Sequence, residues 1–148
     1  MIAKIRKAKK NDYSACLPLF EALYHGDIGP SFQQIFKEFV KGNNSTALIA
    51  TCLDEIVGIL AGSFHLDIDW EGRIAKVDAL VVQRNYGRKG IGKNLMNRFL
   101  EESKKRNCRA IVCRVNRRNI AAQRFFEGLS FEKAYTYEFI LDLQCKYA

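Results

Sequence analysis

The apolar positions change period several times along the chain, and each change marks an element. Residues 2–8 read as a short first strand, with Ala3, Ile5 and Lys7 on one side. Tyr13, Cys16, Leu17, Phe20 and Leu23 then fall at helical spacing behind Asn11 or Asp12 as cap. Pro18 inside that pattern predicts a later start or a kink. A loop over 25–30 ends at Ser31, which caps a second helix with Phe32, Ile35, Phe36, Phe39 and Val40 as its stripe and Gly42 as its stop. Residues 47–52 and 56–64 are apolar runs split by Leu53-Asp54-Glu55, a strand pair with a tight turn. The polar stretch 65–72 reads as a loop, and 74–82 as another strand. A glycine-rich turn at Gly87, Gly90 and Gly92 leads into a helix with Ile91, Leu95, Met96, Phe99 and Leu100 on one face. A short strand over 110–115, a helix over 120–127 and an alternating strand over 135–143 complete the chain. The order β-α-α-β-β-β-α-β-α-β predicts an α/β fold around one mixed sheet.

The 148 residues suit one domain, 1–148, with a core of its own. There is no repeat, linker or low-complexity run. No apolar run reaches the roughly 18–20 residues of a membrane span, and the first residues lack a leader-length apolar stretch. Five cysteines (16, 52, 108, 113 and 145) form no CxxC, and only His25 and His65 could join them around a metal. The expectation is reduced thiols, no metal and a cytoplasmic protein.

Charge sharpens the picture because it is uneven. The net charge is +8, yet residues 11–82 hold ten acids against four basic residues. Residues 83–118 hold twelve basic residues against Glu101 and Glu102, and residues 1–10 hold five with no acid. Such a segment suits a polyanion: nucleic acid, an anionic membrane or a phosphate-rich cofactor. The alternative is a solvated basic face.

The strand-to-turn-to-helix stretch from Val77 to Lys93 favours the cofactor. The first N–H groups of a helix have no internal partners and sit at the positive end of its dipole. Glycines let an anion approach that backbone, and Arg84, Arg88, Lys89 and Lys93 surround the same spot. This is a pyrophosphate cradle. A P-loop is excluded because Lys93-Asn94 stands where Lys-Ser/Thr is required, and a dinucleotide fingerprint because the glycine order is G-x-x-G-x-G.

Arg88-Lys89-Gly90-Ile91-Gly92, following Leu80-Val81-Val82, resembles the acyl-CoA signature Q/R-x-x-G-x-G/A of the GNAT superfamily of N-acetyltransferases. The run from Asn119 to Phe131 is similar to that family's N-x-x-A-x-x-x-Y-x-x-x-G-F element. Three positions depart from the pattern: Gly87 stands at the Q/R position, Phe126 at the tyrosine and Ser130 at the glycine. The resemblance implies a single-domain fold with a mixed, mostly antiparallel sheet of about six to seven strands flanked by about four helices. It implies direct transfer of an acetyl group from acetyl-CoA to a primary amine of a small molecule or protein. Leu80, Val81 and Val82 would offer main-chain groups to the pantetheine arm. Arg88, Lys89, Gly90, Ile91, Gly92 and Lys93 would hold the pyrophosphate, and Asn119 would hydrogen-bond the arm. A main-chain N–H near Val82 would polarise the thioester carbonyl.

Asp78 matches a position where many members place an acid, which implies a general base acting directly or through water. It also reads as a strand-end carboxylate paired with Lys76 or Arg73. With Phe126 in the tyrosine's place, the thiolate leaves unprotonated or Tyr86, Tyr135 or Tyr137 substitutes. Cys113 raises an acetyl-cysteine route, although a buried strand cysteine is more often inert. Trp70, flanked by Asp67, Asp69 and Glu71, suits a cationic acceptor through charge and cation–π contact, or else forms an exposed acidic turn. His65 reads as a strand-end polar residue. A non-catalytic acyl-CoA-binding module and a basic nucleic-acid-binding domain are the alternatives, but aromatic residues do not interleave with the basic ones as stacking platforms would. No nucleic acid and no membrane is the expectation, with a homodimer open through the last strand or the second helix.

Overall fold

A computed structural model describes residues 3–144 in two compact units, Met1–Arg114 and Val115–Ala148. The first unit contains β1 (Lys4–Lys7), α1 (Tyr13–Leu23), α2 (Phe32–Lys41), β2 (Ser45–Cys52), β3 (Glu55–Asp67), β4 (Gly72–Val82), α3 (Ile91–Lys105) and β5 (Ile111–Cys113). The second contains α4 (Ile120–Gly128). The sheet order is β1-β2-β3-β4-β5; the first three pairings are antiparallel and β4–β5 is parallel. This is the expected mixed α/β fold with four α-helices, but with five strands among the described residues rather than six to seven.

Residues 135–143 account for the difference. They have no regular secondary structure, and Tyr135, Tyr137, Phe139, Leu141 and Leu143 are all exposed. Alternation confers strand propensity, but a strand exists only where a partner completes its ladder. The polar stretch 65–72 departs in the opposite sense. β3 and β4 pair out to Asp67 and Gly72, leaving only Ile68, Asp69, Trp70 and Glu71 as the turn. Ladder bonds are made by the main chain, so polar side chains there do not end the strands. Ile2 and Cys145 lie outside the described residues.

Helix α1 begins at Tyr13 and carries Pro18 within it, whose nitrogen has no hydrogen to donate to Ser14's carbonyl one turn back. Neither Asn11 nor Asp12 caps it through a side chain. Asp12 turns back instead, accepting from both Arg6 guanidinium nitrogens (2.9 and 3.1 Å) and from Lys9 N–H (2.7 Å). Ser31 occupies the N-cap position of α2 without a side-chain bond, and Gly42 ends that helix in the left-handed region at φ +67°.

Two cores flank the sheet. On one face Cys16, Leu19 and Phe20 of α1 and Phe36 of α2 meet Ala47, Ile49, Ile59, Ala61 and Ala79. On the other, α3 lies close over the glycines of β3. A Cβ on Gly58 would touch Ile91 and Leu95, and one on Gly62 would sit 2.4 Å from a ring carbon of Phe99. Ile91, Leu95, Met96 and Phe99 are buried as the stripe requires, whereas Leu100 is 39% exposed. Each fully buried side chain of this kind contributes roughly 1.5–3 kcal/mol. Together they fix the start of α3 against β3 and β4, where the candidate site lies.

Candidate active site

The site begins with a miscount between two strands. From Gly58↔Val82 to Ala61↔Ala79 the register of β3 against β4 is regular; the next pair is Gly62↔Val77. Asp78 has no partner, so it is the extra residue of a β-bulge. A bulge shifts which main-chain groups face which neighbour. Before it, Ala75 N–H bonds Ala110 and Arg73's carbonyl accepts from Arg109, so odd-numbered residues face the β5 side. After it, Gln83 N–H bonds Val57 of β3, so the odd-numbered residues have turned inward. The main-chain groups of Leu80 and Val82 therefore face the β5 side. β5 pairs with β4 only over Ala75, Lys76 and Val77, which leaves that stretch of β4 as an open edge among the described residues.

Leu80 and Val82 thus present their main-chain groups to this edge. The main-chain groups of Val81 face Ile59 on β3, and its side chain packs on the α1–α2 core. The reason is the two-residue alternation of any strand, reset by the bulge.

β4 runs through a single 3-10 turn, Arg84–Tyr86, into the glycine turn. Arg88 and Gly90 both lie in the left-handed region, at φ +61° and +81°. The first helical bond of α3 runs from Asn94 N–H to the Gly90 carbonyl, 2.9 Å. The N–H groups of Ile91, Gly92 and Lys93 precede it and have no helical acceptor. Ile91's side chain is buried against Gly58, so only its backbone is available to an anion. Arg84, Arg88, Lys89 and Lys93 are exposed around the turn, with Lys89 Nζ 5.4 Å from the centroid of the Tyr86 ring. A Cβ on Gly90 would meet nothing within 4 Å. The space in front of the helix terminus is open, and the donors and cations fit a diphosphate.

Asp78 is half-buried on the α1–α2 face. Its Oδ2 accepts from Ser63 Oγ at 2.6 Å, and Ser63 Oγ lies 2.9 Å from His65 Nε2. Lys76 Nζ is 3.7 Å from Asp78 Oδ1, so the ion pair is formed; Arg73 bonds Asn44 instead. Tyr24, which closes α1, senses the same carboxylate. Burial first, then the Asp78 charge, pushes its phenol above the ordinary tyrosine range. Ser63 and Tyr24 were not anticipated. The available signal was a serine two residues before a histidine in an apolar run, which places both on one face of a strand.

Trp70 and Asp69 lie exposed on the β3–β4 turn, and Asp67 at its entry accepts from Trp70 N–H at 3.0 Å. Asn119 belongs to the second unit, where its Oδ1 caps α4 by accepting from Ala122 N–H at 3.0 Å. Phe126 stacks edge-on with Phe125 and Phe131 there, and Ser130 adopts φ +71°, the left-handed conformation the motif's glycine would serve. Tyr135 and Tyr137 are exposed. Burial pushes the Cys113 thiol up to about 11, which keeps it protonated at neutral pH and argues against an acetyl-cysteine. Among the described residues, no three His, Cys, Asp or Glu side chains gather as a metal site, and no helix is long and apolar enough to cross a membrane.

The sequence profile of the Acetyltransferase (GNAT) family matches residues 11–131. The chain belongs to that family: it is an acetyltransferase, and acetyl-CoA is its co-substrate. Solved structures share the fold. A transcriptional regulator from Bacillus halodurans C-125 is similar at 24% identity and a TM-score of 0.84, over 96% of this chain and 100% of that one. AAC(6')-Iy, solved with a bisubstrate analogue, CoA-S-monomethyl-acetylneamine, is similar at 16% identity and 0.87, over 96% and 99%. Ribosomal-protein-alanine N-acetyltransferase from Brucella melitensis biovar Abortus 2308 is similar at 18% identity and 0.77, over 96% and 99%.

Proposed function

We propose that this chain, acting as one N-acetyltransferase domain over residues 1–148, transfers acetyl directly from acetyl-CoA to a primary amine. The observation that carries the reading is the bulge at Asp78. One extra residue turns the main-chain groups of Leu80 and Val82 to an open edge and sets a carboxylate at the head of that edge. Leu80 and Val82 bind the pantetheine arm as an added strand would, and Val82 N–H faces the thioester oxygen, where negative charge develops. Gly90, Gly92 and the cations from Arg88 to Lys93 hold the diphosphate.

Acetyl-CoA, when bound, supplies the activated acyl carbon. Asp78 takes a proton from the acceptor's ammonium, directly or through one water, and frees the lone pair that attacks. The carbon–sulfur bond then breaks, and the second proton, shed by the acylated nitrogen, passes through water to the departing sulfur. A thiol pKa near 8.5 lets the sulfur leave as thiolate at neutral pH, so no tyrosine is needed at Phe126. Asp67, Asp69 and Trp70 draw the cationic acceptor to the hairpin tip. The similar structures suggest two acceptor classes: an aminoglycoside such as neamine and a protein N-terminus beginning with alanine. We place the reaction in the cytoplasm, without nucleic acid or membrane, in a chain that pairs with a second copy through residues 135–143 or through α2.

The test is release of free CoA thiol from acetyl-CoA with neamine and with an alanine-initiated peptide. Asp78→Asn should lower the rate by about 10²–10⁴-fold. Unchanged turnover by that variant from pH 6 to 9 would remove Asp78 from the role. A thermal shift with oligonucleotide and none with CoA would overturn the cradle.

A further inference from the structure

The hydrogen bonds that join Ser63 and His65 to Asp78 run in one direction. An ionised carboxylate only accepts. Asp78 Oδ2 therefore takes the one hydroxyl hydrogen of Ser63, across 2.6 Å. With that hydrogen committed, Ser63 Oγ can only accept from His65 Nε2, 2.9 Å away. The resting order is His65 Nε2–H to Ser63, then Ser63 O–H to Asp78, and on the neutral ring Nδ1 carries no proton. Ser63 is 7% exposed, while His65 is exposed. One end of the chain lies at the bulge and the other opens on water.

We propose that Ser63 and His65 carry the acceptor's proton from Asp78 to solvent. The proposal rests on the reading of Asp78 as base. The step balances as follows. The acceptor's N–H bond breaks and Asp78 gains the proton as a carboxylic acid. Asp78 O–H donates to Ser63 Oγ while the Ser63 hydrogen passes to His65 Nε2, for which the ring must begin as the Nδ1–H tautomer. His65 is then an imidazolium and releases the Nδ1 proton to water. The chain returns to its resting order with Asp78 ionised again. Rotation of the Ser63 hydroxyl and exchange of the His65 tautomer through water prepare the next turnover.

The surroundings agree with this direction. Besides His65, the charged and titratable groups facing Asp78 among the described residues are Lys76 on its own strand, 3.7 Å from Oδ1, and Tyr24, which closes α1. The Tyr24 phenol is raised and keeps its proton, so it does not compete for the one Asp78 receives. Asp67 lies two residues beyond His65 on the same strand face, towards the hairpin tip. The path therefore leads from the bulge towards the acidic turn. Ser63 and His65 act through Asp78 and are positioning residues, not catalytic ones.

The experiment has two arms. Turnover of neamine and of an alanine-initiated peptide is followed in dilute buffer and again with added imidazole. His65→Ala, at an exposed position that tolerates the change, should lose roughly tenfold, less than the ~10²–10⁴ of the base itself, and imidazole should restore it. Ser63→Ala should lose as much without rescue, and Ser63→Thr, which keeps the hydroxyl, should recover. The second arm needs no acceptor: nitrogen-15 spectra of the neutral His65 ring should show the Nε2–H tautomer in the wild type and a mixture in Ser63→Ala. A His65 tautomer balance that Ser63→Ala leaves unchanged, full activity of His65→Ala in dilute buffer, or a His65→Ala loss that imidazole leaves unrepaired would each overturn the relay. If Asp78→Asn is inactive while Ser63→Ala and His65→Ala are not, the relay fails and the base stands. If Asp78→Asn keeps its activity, the base reading fails and the relay with it.

Discussion

Gly62→Ala is the most direct probe of what holds α3, and so the cradle, in place. The new Cβ would stand 2.4 and 2.5 Å from two ring carbons of Phe99 and 3.1 Å from the Lys76 carbonyl oxygen. Carbon pairs rest at about 3.5–4.0 Å, so the ring must move by about 1 Å. Phe99 is fully buried and shares its site with Phe64, centroids 5.7 Å apart, with the Arg106 guanidinium over the Phe64 ring at 4.1 Å. It has no free direction. Overpacking of this kind costs about 1–3 kcal/mol, and the upper end applies where the obstacle is a buried ring. Replacing glycine within a strand returns about 0.5–1 kcal/mol. The net loss is about 2 kcal/mol, or a fall of roughly 4–8 °C in Tm at this chain length. Thermal unfolding of Gly62→Ala, Phe99→Leu and the double variant measures it. The smaller side chain leaves room for the methyl, so the double variant should be more stable than the sum of the singles by at least about 1 kcal/mol. A Gly62→Ala protein that melts with the wild type, or strictly additive singles, would refute the close approach of α3 to β3.

Gly90→Trp should behave in the opposite way. Its Cβ enters open space, so stability falls only by the roughly 1–2 kcal/mol of a left-handed non-glycine residue, while the thermal shift given by CoA disappears. An undiminished CoA shift would move the diphosphate elsewhere. Cys113→Ser should leave turnover unchanged, since a thiol pushed up to about 11 is no nucleophile at neutral pH; a large loss would reopen the acyl-thiol route. The Arg6 hydrogen bonds, then the Lys9 amide, hold the Asp12 carboxyl below its ordinary value. A depressed folded-state value means stability that is present above the unfolded carboxylate's range and lost as pH falls through the folded one. Asp12→Asn should therefore melt earlier than wild type at pH 7, with the gap closing below about pH 4. A gap of constant size down to pH 2 would assign the loss to packing.

What could be read from the chain alone divides by the distance over which the cause acts. Gly42 closes α2 and the glycine turn opens α3 because both depend on the local backbone, and both stand where the pattern puts them. The bulge at Asp78 acts between strands. Val77-Asp78-Ala79 alternates apolar, polar, apolar like any half-buried strand, and nothing in those three residues records that β3 offers one residue fewer across the ladder. The count becomes visible only when Gly58 is set beside Val82 and Gly62 beside Val77. The same miscount separates Val81 from its neighbours: Leu80, Val81 and Val82 are equivalent as a string, yet alternation turns Val81's main chain to β3 and leaves the other two on the open edge. Residues 135–143 show the converse, a local preference for strand in a stretch that forms no ladder among the described residues. Ser63 and His65 lay between these cases. Their spacing puts them on one face, but only the register of β3 against β4 brings that face to Asp78. The chemistry of this site is therefore legible in single residues, and its geometry only in pairs.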